Sequence, residues 1–84
     1  MIEIMYFTKK NCGPCNLLKP VMEKLKETMT VTRIDVEESP ELVREFGITG
    51  APTLLYLRVG AVVHREVGFK GREQILATIS SLQE

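Results

Sequence analysis

Short apolar runs and longer amphipathic stretches alternate along this chain. The runs are rich in β-branched and aromatic residues, which predicts strands, and the longer stretches repeat apolar residues every three or four positions, which predicts helices. The four predicted strands are residues 2–7, 31–36, 53–59 and 62–67. The three predicted helices cover about residues 12–28, 40–46 and 72–82. The order β-α-β-α-β-β-α is that of an α/β chain, and its first three elements form a right-handed, parallel βαβ unit.

Residue types within these elements predict how each is buried. The first strand loses its polar face toward its end and the third is almost continuously apolar, so the first should be buried on both faces and the third should be central. The fourth is more polar and should lie at an edge. Pro20 should kink the first helix. The helix residues expected to face the core are Leu17, Leu18, Val21, Met22, Leu25 and Met29, and later Ile75, Leu76, Ile79 and Leu82.

Length and charge limit the class of protein. The 84 residues are enough for one domain, residues 1–84. Eleven basic and eleven acidic residues cancel, which argues against nucleic acid or an anionic membrane as a partner. No run approaches the ~20 apolar residues of a membrane span, and the N-terminus lacks the pattern of a secretory signal. We expect a cytoplasmic protein that works as a monomer.

The only two cysteines, Cys12 and Cys15, follow the first strand and open the first helix. A spacing of three places both sulfurs on one face of the helix start, within bonding reach. The free N–H groups and the dipole at a helix N-terminus lower the pKa of a thiol there. We expect an exposed Cys12 to attack a substrate disulfide, and a covered Cys15 to resolve the mixed disulfide. This predicts a thiol–disulfide oxidoreductase.

Neighbouring residues refine this prediction. Pro14 lacks an N–H group that would help to stabilise the thiolate, so Cys12 should be only moderately activated, as in a reductant of disulfides. Lys9 and Lys10 either add positive potential near Cys12 or lie in a solvated loop.

Three other roles for the cysteine pair are weaker. A structural staple that closes so small a loop contributes only about 2 kcal/mol. A zinc site needs about four ligands, and beyond the cysteines His64 is the one obvious candidate, on a different strand, unless a dimer shares four cysteines. Use of both cysteines as small apolar residues does not explain their position at a strand-to-helix junction.

The tetrapeptide Cys12-Gly13-Pro14-Cys15 resembles the active site of the thioredoxin family. Pro20, residues 46–55 and residues 67–69 are similar to further stretches of that family, so the resemblance covers nearly the whole chain. It implies a thioredoxin-like fold in which a four-stranded mixed sheet is flanked by three helices.

The resemblance also implies roles for individual residues. Gly13, Pro14 and Pro52 would shape the site, and the bond before Pro52 would be cis. The backbone of Ala51 would pair with an extended substrate, Pro52 would also contact the substrate, and Gly68 would lie in a loop that does the same. The family binds no metal or cofactor for this reaction. Its electrons come from NADPH through a flavin-dependent thioredoxin reductase, and its other partners are disulfide-containing proteins.

This chain departs from the family pattern in several places. Cys12 comes early, so the family's usual first strand and helix are absent and the body has the size of a glutaredoxin. Asn11 replaces a tryptophan. Tyr6 stands where the family has a buried acid, which leaves the proton acceptor for Cys15 unassigned. Arg33 lies roughly where the family has a lysine, or is simply a solvated strand residue.

Two alternative functions use the same fold. A glutathione-coupled glutaredoxin, or a glutaredoxin-like electron donor to ribonucleotide reductase, would use the same cysteines. However, residues 67–72 lack the paired-glycine, acidic motif of glutaredoxins. A non-catalytic module would use the fold only to dock a partner.

Overall fold

The computed structural model describes residues 1–83, in which seven elements follow the predicted order. The strands are β1 (Ile2–Thr8), β2 (Val31–Asp35), β3 (Thr53–Arg58) and β4 (Ala61–Val67). The helices are α1 (Gly13–Leu25), α2 (Pro40–Phe46) and α3 (Arg72–Gln83). The first helix is shorter than predicted, because the N–H groups of Thr28 and Met29 both bond to the Leu25 carbonyl in a turn. None of the helices in these 83 residues has the length and apolar character needed to cross a membrane.

The strands form one mixed sheet in the order β2-β1-β3-β4. β1 runs parallel to β2, to which α1 connects it, and antiparallel to β3, while β4 pairs antiparallel with β3. The predicted central position of the third strand and the edge position of the fourth are both confirmed. The register skips Val63, which bulges from β4.

Helices cover both faces of the sheet, so β1 is buried on both sides as predicted. The core on the side of α1 and α3 contains Ile2, Ile4, Tyr6, Leu18, Met22, Leu25, Val31, Leu54, Tyr56 and Ile75. The core on the side of α2 contains Phe7, Ile34, Leu55 and Leu57, with Leu42, Val43 and Phe46 packed against them. These two cores hold β1 in place, and with it the loop that leads to the cysteines.

Two leucines that were expected to face the core do not. Leu17 is 64% exposed and Leu76 is 40% exposed. Adjacent residues differ by about 100° around a helix, and in each case a neighbour, Leu18 or Ile75, takes the inward position. The other helix residues expected in the core are buried or partly buried. α1 continues unbroken through Pro20.

A hydrogen-bond network joins the sheet to α3. Tyr56, fully buried on β3, donates its hydroxyl proton to Glu66 Oε1 at 2.7 Å. Glu66 Oε2 accepts a hydrogen bond from the Thr78 hydroxyl of α3 at 3.3 Å, and lies 3.3 Å from His64 Nε2. Burial, followed by the bond to Glu66, raises the pKa of Tyr56 far above its ordinary value of 10.0.

Replacement of Tyr56 with phenylalanine should change how stability depends on pH. Because the pKa of Tyr56 is raised in the folded protein, its contribution to the free energy of unfolding is complete below pH ~10 and is lost as the pH rises further. Above pH ~10, the free energy of unfolding should fall more steeply in the wild type than in Tyr56→Phe, by up to about 1.4 kcal/mol per pH unit.

Urea unfolding of both proteins at a series of pH values measures this difference. At neutral pH, Tyr56→Phe should be less stable by about 1–2 kcal/mol, because Glu66 loses a buried donor. If the free energies of unfolding of the two proteins fall in parallel above pH ~10, the fold does not hold the Tyr56 hydroxyl neutral.

Candidate redox site

The register of the sheet brings four loops to one edge. Thr8 at the end of β1 pairs with Asp35 at the end of β2. Phe7 pairs with Thr53, where β3 begins, and Thr53 pairs with Val67, where β4 ends. The loops that meet at this edge are residues 9–12, 36–39, 47–52 and 68–71.

Cys12 is the N-cap of α1. Asn11 before it has φ of +55°, in the left-handed region that asparagine adopts more readily than most side chains. Cys12 then returns to extended backbone, and its carbonyl accepts the N–H of Asn16 at 3.0 Å. Its Sγ accepts the N–H of Cys15 at 3.2 Å. One free N–H group of the helix start, that of Cys15, therefore faces the sulfur of Cys12, as predicted.

The two cysteines form a disulfide, with 5.2 Å between their Cα atoms. This confirms that a spacing of three brings the sulfurs within bonding reach. The expectation that Cys12 is exposed is wrong, because Cys12 and Cys15 are only 6% and 3% exposed. Each sulfur covers the other, and the carbonyl oxygen of Ala51 lies 3.8 Å from Cys12 Sγ. Gly13 and Pro14, the first residues of α1, are exposed beside them.

The loop that carries Ala51 and Pro52 lies against the cysteines. The bond between these two residues is cis, as the resemblance implies. Gly68 donates its N–H to the Pro52 carbonyl at 2.8 Å, and Thr53 donates its hydroxyl proton to the Gly50 carbonyl at 2.6 Å. Pro52 is fully buried, whereas Ala51 is partly exposed. The site residues implied by the resemblance therefore lie together at this edge.

A hollow of about 210 Å³ opens beside this loop. Val36, Val43 and Ile48 line it with apolar side chains, and Lys9 and residues 49–51 form the rest. The hollow could not be predicted from the sequence, because its lining comes from four separate segments of the chain.

A second cleft, of about 440 Å³, lies on the Cys15 side of the site. Its lining includes Tyr6 of β1 and Arg33 of β2, which are register partners, and Lys19 of α1. Burial raises the pKa of Tyr6, and the positive charge of Arg33 opposes this shift. No Asp or Glu of the described chain lines the cleft. Arg33 thus faces the same space as Cys15, so it is more than a solvated strand residue.

His64 does not join the cysteines. It lies on β4, where its side chain contacts Glu66. Among residues 1–83, no three His, Cys, Asp or Glu side chains are grouped as metal ligands would be. The structure therefore gives no support to the zinc alternative within one chain.

Comparison with known proteins decides the family. A sequence model of the family described as Thioredoxin matches residues 2–81. A thioredoxin from Chlamydia muridarum is 36% identical over 98% of this chain and 83% of its own length. The chain belongs to the thioredoxin family.

Two further relatives extend this result. The structure of a mutant thioredoxin from Halobacterium salinarum matches with a TM-score of 0.91 at 34% identity, over 99% of this chain and 75% of that one. This confirms the thioredoxin-like fold. A bifunctional thioredoxin reductase/thioredoxin from Mycobacterium leprae is 36% identical over 84% of this chain, which spans 16% of that longer protein.

Family membership and the disulfide at the helix start together establish the reaction class. The protein is a thiol–disulfide oxidoreductase of the thioredoxin type. The glutaredoxin alternative has less support, since the matched family and the relatives described above are thioredoxins. Thioredoxins need no bound cofactor.

The loop at Gly68 should be sensitive to an added side chain. Gly68 has φ of +93°, which L residues rarely adopt, and it holds the Pro52 carbonyl. Gly68→Ala should therefore lower the free energy of unfolding by about 1–2 kcal/mol, as measured by urea unfolding.

Gly13→Ala is the matched control for this change. Gly13 is helical, and no atom lies within 4 Å of a Cβ added there. The free energy of unfolding of Gly13→Ala should therefore equal that of the wild type or exceed it. Equal effects of the two substitutions would contradict a special role for the backbone conformation at Gly68.

Proposed function

We propose that this protein reduces disulfide bonds in other proteins, with Cys12 as the attacking thiolate and Cys15 as the resolving thiol. The observation that carries the proposal is the Cys12–Cys15 disulfide at the N-terminus of α1, beside the backbone of Ala51. A thiolate at Cys12 is stabilised by the N–H of Cys15, which already points at its sulfur, and by the positive end of the helix dipole.

The reaction consists of two thiol–disulfide exchanges. The Cys12 thiolate attacks one sulfur of the substrate disulfide, and the other substrate sulfur leaves as a thiolate. Cys15 then loses its proton and attacks Cys12 Sγ, which releases the substrate's first sulfur. The substrate gains two electrons, and Cys12 and Cys15 become the disulfide seen in the structure.

The backbone of Ala51 supports a binding place for an extended substrate. Among residues 1–83, no hydrogen bond of the turns and loops joins the N–H or carbonyl of Ala51 to another backbone group. A substrate strand that pairs with these groups lies next to Cys12, and its apolar side chains can enter the hollow lined by Val36, Val43 and Ile48. Gly68 acts by holding the adjoining Pro52 carbonyl.

We assign the electrons to NADPH, delivered by a flavin-dependent thioredoxin reductase. The name of the Mycobacterium leprae relative joins thioredoxin reductase and thioredoxin in one protein, which supports a partner of this kind. We further assign the activity to residues 1–84 as a single domain that acts as a monomer in the cytoplasm, a compartment where disulfides are kept reduced. The balanced charge of the chain favours protein partners over nucleic acid or membranes.

Oxidation of NADPH in the presence of insulin, a disulfide-containing protein, tests this electron donor. One reaction contains thioredoxin reductase, and a parallel one contains glutathione with glutathione reductase. We expect turnover with thioredoxin reductase and only background with glutathione, and Cys12→Ser should be inactive in both.

Turnover with glutathione alone would contradict the proposed donor and favour a glutaredoxin. If neither system turns over, reduction of the protein with dithiothreitol followed by addition of insulin shows whether the protein can pass electrons to a substrate at all. Failure of that transfer would contradict the reductase function itself.

The roles of the two cysteines can be separated by trapping. Cys15→Ser should accumulate a mixed disulfide between Cys12 and the substrate, because the resolving sulfur is missing. Non-reducing electrophoresis and mass spectrometry measure this product. Cys12→Ser, which also removes one sulfur atom, should form much less. Equal capture of substrate by a variant without either cysteine would instead indicate a docking module.

A further inference from the structure

The cleft beside Cys15 carries positive charge from each of the segments around it. Among residues 1–83 the ion pairs are Lys24–Glu27 and His64–Glu66, so no cation of the cleft is neutralised by a direct ion pair. The charged and titratable residues that line the cleft with Cys15 are Tyr6, Lys9, Lys10, Lys19 and Arg33.

Two carboxylates lie near the cleft without lining it. Glu23 of α1 raises the pKa of Tyr6, so its charge acts on that hydroxyl. Asp35 pairs with Thr8 at the end of β1, and its Oδ1 accepts the N–H of Glu37 at 2.8 Å. The immediate surroundings of Cys15 are therefore cationic, although the chain as a whole has no net charge.

We propose that this cationic cleft, with Arg33 as its principal charge, stabilises the thiolate of Cys15 during the resolving step. The proposal rests on the roles of Cys12 and Cys15 proposed above. Cys15 must be ionised to attack, and no carboxylate of the described chain lines the cleft to take its proton. Nearby positive charge also promotes ionisation of Cys15, because it stabilises the thiolate and so lowers the pKa of the thiol.

We take Arg33 as the principal charge because it lines the cleft from β2, the strand that pairs with β1. It opposes the effect of burial on Tyr6, its register partner on β1. Lys19 reaches the same cleft from α1. Both cations are exposed, so solvent and salt weaken their effect without removing it.

The resolving step balances without a protein base. The S–H bond of Cys15 breaks, and its proton passes to solvent. The thiolate bonds to Cys12 Sγ, and the bond between Cys12 and the substrate sulfur breaks. That sulfur leaves with the bonding pair and takes a proton from solvent. Over the two exchanges together, the two cysteines lose two electrons and the substrate gains two.

A series of charges at position 33 tests the proposal in a Cys12→Ser background. Cys15 is then the only thiol, and the ultraviolet absorbance of its thiolate reports its apparent pKa. At low salt, Arg33→Lys should leave this pKa unchanged, Arg33→Gln should raise it by about half a unit, and Arg33→Glu by about one unit. High salt should reduce these differences.

Lys24→Gln is the matched control for this series. It removes one exposed cation from the last turn of α1, about 14 Å along the helix axis from Cys15, and should leave the pKa unchanged. Equal shifts in Lys24→Gln and Arg33→Gln, or no shift in either, would overturn the proposal. If Arg33→Gln does not fold, Lys19→Gln replaces it, with a rise in the same pKa as the expected result.

Kinetics with dithiodipyridine, a neutral aromatic disulfide, extend the test to the protein with both cysteines. Attack by Cys12 releases one thiopyridone, and attack by Cys15 releases the second. Arg33→Gln should slow the second release about twofold at neutral pH, because an about threefold smaller thiolate fraction is partly offset by higher nucleophilicity. An effect on the first release alone would overturn the proposal. These measurements need no reductase, so they stand apart from the NADPH assay.

Discussion

The burial of β1 on both faces is the constraint on which the redox site depends. Helices pack on each side of this strand, and β2 and β3 pair with its two edges. A strand held in this way cannot shift by one residue, because every side chain would turn to the opposite face. The end of β1 therefore fixes where the loop at residues 9–11 turns, where α1 begins, and where the sulfur of Cys12 lies.

The order and type of the elements could be predicted because each is encoded locally, by short β-branched runs and by helices that end at residues such as Gly47. The buried side of each helix was less predictable. Leu17 and Leu76 have the spacing of core residues, yet a repeat of three and four defines more than one line along a helix. The position of the sheet decides which of these rows of side chains is buried, and that position depends on the whole chain.

The same division between local and distant contacts applies to the site. The chemistry of the cysteines could be predicted because both belong to one helix start. The burial of Cys12 could not, because one of the groups beside its sulfur, the carbonyl of Ala51, is 39 residues away along the chain. The cationic cleft was also missed, since Arg33 and Lys19 come from different elements and meet only through the register of β2 and the placement of α1.

β4 lies at an open edge of the sheet, yet it is a poor partner for a strand from another protein. Val63 interrupts its register, Arg65 and Glu66 place charges along it, and Arg65 donates to the carbonyls of Phe46 and Gly47. Bulges and charges on edge strands deter pairing with other chains. This open edge is thereby protected from aggregation with strands that other chains expose. In the proposed reaction, strand pairing with the substrate is assigned instead to the backbone of Ala51 beside the cysteines.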